Sequence, residues 1–265
     1  MIDLRFSEAE LTAQREHIVG FVEDVVDDAG AEGAVLGLSG GIDSSLTAFL
    51  AAEALGPEGL RGLVLPSTVN REDNMSDAER VAEQLDIEYD VIEIEPFVEG
   101  LRGALPEVEG DEIAVGNARA RFRGVLNYAV ANHENRVVLG TGNRSEALAG
   151  YYTKYGDQAV DCNPIGNLYK TQVRQLAHRV GVPEDIVEKP PTAGLWAGQT
   201  DEAEMGVTYE TLDAVLAVHV DGPLSTSATV DLLDVDRETV GRVDTLYERS
   251  AHKRAMPPAP EVLSL

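Results

Sequence analysis

The fold that we predict depends on one stretch, Leu36-Gly37-Leu38-Ser39-Gly40-Gly41-Ile42-Asp43-Ser44-Ser45. The stretch ends an apolar run that begins at Ala34, and it leads into an amphipathic pattern whose apolar positions are Leu46, Phe49 and Leu50. The apolar run predicts a buried strand, the glycine pair predicts a tight turn, and the amphipathic pattern predicts a helix. We therefore expect a strand that runs directly into a helix N-terminus.

The glycine turn, residues 39–45, has the features of an anion-binding site. Gly40 and Gly41 lack Cβ atoms, so the backbone can approach a ligand closely. Successive N–H groups in such a turn form a concave site, and the helix N-terminus adds partial positive charge. Asp43 is the exception, because a carboxylate repels phosphate unless a cation lies between them. We predict that Mg²⁺ bridges Asp43 and a polyphosphate; the plainer alternative is a glycine turn with a capping side chain.

The turn resembles the PP-loop of the N-type ATP pyrophosphatases. It is not the nucleotide-binding loop of P-loop NTPases, because no Lys follows the glycines. Enzymes with a PP-loop cleave ATP between the α and β phosphates and transfer AMP to an oxygen of the substrate. They include synthetases of NAD, GMP and asparagine as well as tRNA-thiolating enzymes, and the turn alone does not choose among them.

Length and composition limit the class of protein. The chain has 265 residues, 43% of them hydrophobic, and no repeat or linker-like segment, so we predict one domain over residues 1–265. No apolar run approaches about 18 residues, and the N-terminus lacks a signal-peptide pattern, so we predict a cytoplasmic protein without membrane contact. The single cysteine, Cys162, excludes an intrachain disulfide and a cysteine-cluster zinc site.

The charge balance is strongly acidic. The chain has 47 acidic and 21 basic residues, a net charge of −26, spread along its whole length. Such a surface disfavours nucleic acid as a partner, because that binding depends on Lys and Arg neutralising phosphates. We hypothesise a surface adapted to concentrated salt, where screening weakens the repulsion among like charges. Thermal melts at low and at molar salt test this hypothesis, and equal stability in both would contradict it.

Strand and helix patterns alternate along the first half of the chain. Strands are predicted at residues 34–38, 60–66, 89–94 and 136–140, and helices at 7–28, 44–55, 77–85, 112–133, 169–180, 208–218 and 236–253. This alternation predicts an α/β fold, a Rossmann-like parallel sheet with helices on both faces. Ligands of such sheets bind at the carboxyl ends of the strands, where the glycine turn and a polar loop at 67–75 lie. We predict that the irregular segment 150–168 is functional and that 190–200 is a lid.

Charged residues near these strand ends are further candidates. Arg119, Arg121 and Arg123 occupy alternate helical positions, so the first and third share a face while the second points elsewhere; they either form surface ion pairs or bind an anion. Glu146, at a strand-to-helix junction, is a second magnesium ligand or only a partner of the helix dipole. Lys170 at a helix start opposes the dipole, so it is either a plain surface residue or a partner of an anionic ligand.

Later motifs resemble those of the NAD synthetase family. They occupy residues 141–146, 150–157, 161–170, 189–195, 199–209 and 252–254, in the order of that family. The resemblance covers about residues 8 to 258 and implies an adenine nucleotide alpha hydrolase-like fold. It implies ATP-dependent amidation of deamido-NAD with ammonia through an NAD-adenylate, the last step of NAD biosynthesis. The products would be NAD, AMP and pyrophosphate.

The resemblance also implies a role for each matching residue. The ATP-binding residues would be Gly37, Leu38, Ser39, Gly40, Gly41, Ile42, Asp43, Ser44, Ser45, Thr141, Lys170 and Thr192. The residues that contact deamido-NAD would be Arg121, Lys154, Asp161, His252 and Lys253. Asp43 and Glu146 would bind Mg²⁺, and the catalytic residues would be Asp43, Lys170, Lys154 and Asp161. Arg121 is chosen for its 20-residue spacing to Thr141, and Tyr151 and Tyr152 would stack on the nicotinate end unless they only pack in the core.

The nitrogen source and the assembly follow from the same resemblance. Glutamine-dependent synthetases carry a glutaminase domain with a Cys nucleophile, for which this chain has no room, so ammonia is the expected donor unless a separate subunit supplies it. The family implies a homodimer, with the N-terminal helix as a candidate interface. One rival is another PP-loop enzyme, which would need a basic RNA surface or an added dimerisation domain. Another is an adenine-nucleotide sensor, which would not need Glu146, Lys170 and the lid together.

Overall fold

The structure of the chain, a computed structural model, describes residues 2–67, 72–192 and 200–261. Within these ranges the sheet has four strands, β1 (Ala34–Leu38), β2 (Leu60–Val64), β3 (Glu88–Val91) and β4 (Val137–Leu139). All are parallel, in the order β3-β2-β1-β4, and Leu36 of β1 pairs with Gly62 on one side and Leu139 on the other. The chain therefore builds outward from β1 in one direction and then returns to its other side, which makes the end of β1 the point where the strand order reverses.

The helices cover both faces of the sheet, as predicted. They are α1 (Glu8–Ala29), α2 (Ile42–Leu55), α3 (Glu72–Gln84), α4 (Glu95–Ala104), α5 (Glu112–Glu134), α6 (Arg144–Ala149), α7 (Lys170–Val180), α8 (Glu184–Val187), α9 (Asp201–Met205), α10 (Tyr209–Val215), α11 (Thr226–Leu233), α12 (Arg237–Arg249) and α13 (Ala251–Arg254). Alternate residues of β1 enter different cores, because successive strand side chains point to opposite faces. Leu36 belongs to the core that also contains residues of α1, α2, α3 and α7, whereas Val35 belongs to a core that contains Ala131 of α5.

The C-terminal helices form a further core beside the sheet. Tyr209 and Leu212 of α10 pack there with Val240 of α12, and Tyr169, directly before α7, joins them. Tyr209 is fully buried. The start of α7 is therefore held between the sheet and the C-terminal helices. Among the described residues, no helix combines the length and apolar character needed to span a membrane.

The strands are shorter than predicted. The strand predicted at 60–66 ends at Val64, and the one predicted at 89–94 ends at Val91. Pro66 has no N–H to donate to a neighbouring strand, which disfavours extending β2 through it. A further bond between the two strands remains, from Ile92 N to Val64 O at 2.9 Å. The strand predicted at 136–140 ends at Leu139, and Gly140 N donates instead to Cys162 O at 2.8 Å.

The helices differ more from the predictions. The prediction missed α4, α8, α9 and α11; α4 forms although Pro96 lies in its first turn, a position that proline tolerates. The helix predicted at 208–218 changes into a π-helical turn, Leu216–Val220. The helix predicted at 236–253 breaks at Ser250, whose hydroxyl donates to Leu246 O at 2.7 Å.

The segment predicted to be irregular at 150–168 is irregular in the structure, whereas part of the loop predicted at 67–75 is helical. Between α6 and α7 the chain forms turns and an isolated parallel bridge from Cys162 to Leu139. The predicted loop at 67–75 and lid at 190–200 include residues 68–71 and 193–199, which lie outside the described residues. Helix α3 already begins at Glu72, within the predicted loop.

Candidate active site

A cavity of about 570 Å³ lies at the carboxyl edge of the sheet. The ends of three strands contribute to its wall, through Leu38 of β1, Val64 of β2 and Leu139 of β4. These are the strands around the reversal of strand order, which is where α/β sheets bind ligands. The cavity is therefore the candidate active site.

The glycine turn forms one wall of the cavity and is held by bonds within itself. Gly40 has φ of 73°, in the left-handed region that favours glycine. Ser39 N donates to Ser44 Oγ at 3.2 Å, and Gly41 N donates to Ser39 Oγ at 3.3 Å. Gly41 is the N-cap residue of α2 and has no side chain to cap the helix. Backbone N–H groups at the start of α2 thus remain available to an anion.

A charged centre of Asp43, Glu146 and Lys170 faces the same cavity. Lys170 Nζ donates to Asp43 Oδ2 at 2.5 Å and to Glu146 Oε1 at 3.5 Å. The Lys170 side chain is 3% exposed, and each of the two carboxylates is 18% exposed. Lys170 Nζ also lies 5.3 Å from the centre of the Tyr209 ring. The ammonium is thus enclosed, while both carboxylates reach the cavity.

Asn143 fixes the two carboxylates of the charged centre. Its Nδ2 donates to Asp43 Oδ1 at 2.9 Å, and its backbone N donates to Glu146 Oε2 at 3.3 Å. Glu146 N donates in return to Asn143 Oδ1 at 3.0 Å, which completes a capping box at the start of α6. The residue that caps α6 therefore also positions Asp43, which lies on α2 and is distant in sequence.

The electrostatics of the charged centre follow from burial and crowding. Burial, and then the neighbouring charge of Asp43, raise the pKa of Glu146 to about 8, although Lys170 acts in the opposite direction. Burial alone would lower the pKa of Lys170, but Asp43 and Glu146 outweigh it and raise that pKa above its ordinary value. Lys170 therefore stays charged at neutral pH, and a further cation beside the carboxylates would relieve their mutual repulsion.

A buried carboxylate behind the charged centre joins α6 and α7, two of the three helices that carry it. Asp213 of α10 is fully buried; its Oδ1 accepts from Ser145 Oγ at 2.5 Å and its Oδ2 from Thr171 N at 2.9 Å. Ser145 Oγ in turn accepts from Lys170 N at 2.8 Å. The first N–H groups of α7 are therefore capped by side chains from α6 and α10. This arrangement holds Glu146, next to Ser145, close to Lys170.

The donor set of the charged centre suits Mg²⁺. Asp43 and Glu146 offer carboxylate oxygens at the cavity wall, and both lie within reach of one ammonium group, so they converge. A different cluster, His178, Glu184 and Glu188, brings three possible ligand atoms within 4.8 Å of one another, but all three residues are exposed and lie outside the cavity. The fit to a divalent cation therefore favours Asp43 and Glu146.

The structure brings most of the predicted ATP-binding residues together. Those that line the cavity are Gly37, Leu38, Ser39, Gly41, Ile42, Asp43, Thr141, Lys170 and Thr192. Ser44 and Ser45 are 1% exposed, and the Ser45 hydroxyl donates to Gly41 O at 2.8 Å, so they support the turn from behind. Gly40 is the remaining predicted residue that does not line the cavity.

The predicted dinucleotide-binding residues are more scattered. Lys253 lines the cavity, where its Nζ donates to Gly150 O and Tyr152 O, each at 2.6 Å. Lys154 Nζ donates to His252 O at 2.7 Å, and both residues lie outside the cavity. The C-terminal helix α13 thus holds the loop that carries Tyr151 and Tyr152, and these two tyrosines do line the cavity.

Arg121 and Asp161 also lie outside the cavity. Arg121 is exposed and donates from Nη2 to Lys154 O at 3.1 Å. The Asp161 carboxylate accepts from Tyr128 OH at 3.0 Å and from Val138 N at 2.7 Å, beside β4. Arg123 is the arginine of this helix that lines the cavity.

Sequence reasoning missed several residues that build the site. Asn143 had a detectable signal, because an Asn followed three residues later by Glu predicts a capping box. Arg123 was not missed: the sequence names it with Arg119 and Arg121 as an anion-binding candidate, although the resemblance favours Arg121 for the dinucleotide. Ser145 and Asp213 had no local signal, because their partners lie on other helices.

Comparisons with known proteins agree with one another. A family model described as NAD synthase matches residues 14–257. The chain is 65% identical over 259 residues to the NH(3)-dependent NAD(+) synthetase of Halobacterium salinarum strain R1, covering 98% of this chain and 97% of that protein.

Solved structures of similar proteins have the same fold. An NMN synthetase from Francisella tularensis superposes with a TM-score of 0.84 and 38% identity, covering 97% of this chain and 100% of that one. An NH3-dependent NAD synthetase from Campylobacter jejuni, in complex with the nitrate ion, superposes with a TM-score of 0.78 and 30% identity, covering 95% of this chain and 99% of that one.

Proposed function

Because the chain belongs to the NAD synthase family, we propose that it forms NAD from deamido-NAD, ammonia and ATP, as an acid–ammonia ligase. The observation that carries this proposal is the charged centre of Asp43, Glu146 and Lys170 beside the glycine turn. The turn offers N–H groups to phosphates, and the charged centre provides both a fixed cation and two carboxylates for a divalent one. That combination serves AMP transfer from ATP.

The chemistry that the site must promote has two displacements. A carboxylate is a poor acyl donor, because oxide is a poor leaving group. The nicotinate carboxylate attacks the ATP α-phosphorus, the bond to the β-phosphate bridging oxygen breaks, and pyrophosphate leaves. Ammonia then attacks the acyl carbon of the adenylate, AMP leaves with the former carboxylate oxygen, and the nitrogen loses a proton. Both steps depend on positioning and charge neutralisation more than on a covalent nucleophile.

We propose specific roles for the residues of the charged centre. Lys170 neutralises charge on the phosphates of ATP, and Asn143 keeps Asp43 and Glu146 oriented toward the cavity. Asp43 and Glu146 would hold Mg²⁺, which when bound supplies further neutralisation of the polyphosphate. The glycine turn binds the phosphates through its backbone, so the side chains of Ser44 and Ser45 act by keeping the turn in shape.

The proposed contacts to deamido-NAD extend beyond the cavity. Arg121, Lys154, Asp161 and His252 lie outside it in the single chain, whereas Lys253 lies in its wall. We propose that part of the dinucleotide passes the rim formed by Tyr151 and Tyr152 and reaches the outer residues. Lys154 and Asp161 would orient the dinucleotide and receive ammonium.

The assembly that we propose is a homodimer of a single synthetase domain, in the cytoplasm. The sequence suggested α1 as the interface. Large exposed apolar side chains support the α4–α5 region instead: Phe97 is 42% exposed, Ile113 67% and Val125 63%. A second copy of the chain covering this surface would remove apolar area from water. Light scattering of the protein and of a Val125→Glu variant tests the assignment; a dimer that survives the substitution unchanged would contradict it.

The activity is tested by incubating the protein with ATP, Mg²⁺, ammonium and deamido-NAD. Equal amounts of NAD, AMP and pyrophosphate are expected, and ATP binding without turnover would favour the sensor. A parallel reaction replaces the dinucleotide with nicotinate mononucleotide, because one structural relative is an NMN synthetase. Amidation of the mononucleotide but not of the dinucleotide would replace the proposed substrate. A third reaction replaces ammonium with glutamine, which we expect to give no NAD.

A further inference from the structure

Four basic side chains of the described residues line the cavity: Arg123, Lys170, Lys189 and Lys253. The charged groups of the three lysines are paired with carboxylates or backbone carbonyls of the protein. Lys170 contacts the two carboxylates of the charged centre. Lys189 Nζ lies 2.7 Å from Asp77 Oδ2, and Lys253 Nζ donates to two backbone carbonyls. Arg123 is the exception in this set.

Among the described residues, no carboxylate forms an ion pair with the Arg123 guanidinium. Its Nε donates to Leu65 O at 3.1 Å, just beyond the end of β2. Within the described ranges, no carboxylate oxygen lies within 4.0 Å of its nitrogens. Arg119, one turn earlier on α5, does have such a partner, since its Nη2 lies 3.6 Å from Glu95 Oε1. A buried arginine without a paired carboxylate is unusual, all the more so in a chain with 47 acidic residues.

The surroundings of Arg123 disfavour its charge without removing it. Burial, and then repulsion from Arg119, lower its pKa to about 10, while Asp157 in the cavity wall acts in the opposite direction. The side chain therefore stays charged at neutral pH. An anion that entered the cavity would relieve this cost, because a nearby opposite charge favours the ionised form.

We propose that Arg123 binds an anionic oxygen group of a substrate, a carboxylate or a phosphate, inside the cavity. The proposal rests on the proposed function, in which both substrates carry such groups. With Nε directed to Leu65 O, the remaining guanidinium N–H groups are suited to a bidentate contact with two oxygens. Ala120 and Gly124 line the cavity on either side of Arg123 along α5, and their small size leaves room for a ligand there.

A structural role of Arg123 is the competing explanation. The guanidinium would then only support the backbone at Leu65. That role predicts a loss of stability on substitution, with the same affinity for every ligand. A ligand-binding role predicts a loss of affinity that depends on which anionic group the ligand carries.

The test uses Arg123→Met and Arg123→Lys with Arg136→Met as the matched control. Arg136 is also a partly buried guanidinium that donates to a backbone carbonyl, Gly59 O at 2.9 Å, but at the opposite edge of the sheet and outside the cavity. Calorimetry measures the binding of deamido-NAD, NAD and the α,β-methylene analogue of ATP to each variant. Thermal melts of the same samples report stability.

We expect Arg123→Met to weaken at least one ligand tenfold or more, and Arg136→Met to weaken none by more than twofold. Loss for deamido-NAD alone assigns the substrate carboxylate, because NAD carries an amide there. Equal loss for deamido-NAD and NAD assigns a dinucleotide phosphate, and loss for the ATP analogue assigns a nucleotide phosphate. Arg123→Lys keeps the charge without the planar fork and is expected to fall between Arg123→Met and the unmodified protein.

Affinities within twofold of the unmodified protein for all three ligands, with a lowered melting temperature, would overturn the proposal. If Arg123→Met does not fold, the same ligand affinities are measured for Arg123→Lys. Unchanged affinities in Arg123→Lys would then overturn the proposal. Failure of the proposed function has a different signature, in which the unmodified protein itself does not bind deamido-NAD. The ATP analogue then still decides whether Arg123 contacts an anion.

Discussion

The glycine turn and the charged centre share Asp43 but are built in different ways. The bonds that shape the turn join residues no more than five positions apart, such as Ser39 and Ser44. The bonds of the charged centre cross the chain, with 127 positions between Asp43 and Lys170 and 100 between Asp43 and Asn143. The turn can form wherever its strand and helix form, whereas the charged centre exists only when the C-terminal helices are in place.

This difference determines where each part is vulnerable. The turn contributes backbone N–H groups, which most side-chain substitutions do not remove. The charged centre depends on side chains that are positioned by other buried side chains, so a remote substitution can disturb it. We therefore expect the largest losses of activity in the charged centre, intermediate losses in its support, and the smallest in the turn.

The largest effect is expected for Lys170→Met. The substitution removes the fixed cation from the phosphates and leaves two partly buried carboxylates without it, so kcat/KM should fall by about 10³-fold. Steady-state kinetics at saturating Mg²⁺ measures this loss. Arg174→Met is the control, since it removes a positive charge from the same helix, where Arg174 pairs with exposed Glu210 at 2.8 Å. A loss below tenfold for Lys170→Met would mean that the charged centre is not central to the reaction.

The support of the charged centre is tested with Asp213→Asn. The amide keeps only one acceptor oxygen, so either Ser145 or Thr171 loses its partner, and Lys170 shifts relative to Glu146. We expect kcat to fall about 10- to 100-fold, as is typical when a residue behind the reacting groups is changed. The measurement is kcat and KM for ATP, together with a thermal melt.

Asp221→Asn is the matched control for this prediction. Asp221 also joins the start of α6 to the C-terminal helices, through two bonds from Arg144 at 2.7 and 2.5 Å. It accepts a further bond from the Tyr169 hydroxyl, but it does not contact the backbone of Lys170 or Thr171. We expect a lowered melting temperature with kcat nearly unchanged. Equal losses of kcat in the two variants would show that Asp213 acts through general stability alone.

The same distinction explains what the sequence could predict. The parallel sheet was predictable because hydrophobic periodicity and glycine turns are local signals. Helix α4 was not, because Pro96, Gly100 and Gly103 lower its intrinsic propensity and its stability comes from packing, with Val98 fully buried. Tertiary contacts thus decided the element that local preference opposed.

The candidate site divides in a similar way. Residues of the glycine turn, with Glu146 and Lys170, could be singled out from motif spacing, and the structure brings them to one cavity. Motif spacing favoured Arg121 for the dinucleotide, whereas the orientation of α5 places Arg123 in the cavity wall. Asp213 could not be found, since a lone Asp in an amphipathic helix looks the same whether it faces solvent or a buried helix N-terminus.

A smaller effect is expected in the glycine turn itself, for Gly40→Ala. Alanine at φ of 73° costs about 1–2 kcal/mol, because its Cβ approaches the following carbonyl oxygen. We expect the free energy of unfolding to fall by that amount and KM for ATP to rise several-fold. Gly20→Ala in α1 is the control, since nothing lies within 4 Å of its new Cβ, and it should stabilise by about 0.5–1 kcal/mol. Urea denaturation measures both, and equal shifts of the same sign would contradict the strain at Gly40.

The smallest effect concerns Cys162, beside the end of β4. Burial, and then the charge of Asp161, raise the pKa of its thiol to about 11. At pH 8 the reactive thiolate is then about a hundredfold scarcer than in an ordinary thiol, so an aromatic disulfide reagent should label the folded protein slowly and the urea-denatured protein at once. Labelling should accelerate as pH rises toward 11.

The raised pKa of the Cys162 thiol also affects stability. Because the folded state retains a proton that the unfolded state loses near pH 9, this group makes the protein less stable as pH rises from about 9 to about 11. Fast labelling at pH 8 would mean that the segment around Cys162 opens away from β4 and, unlike the glycine turn, is not fixed.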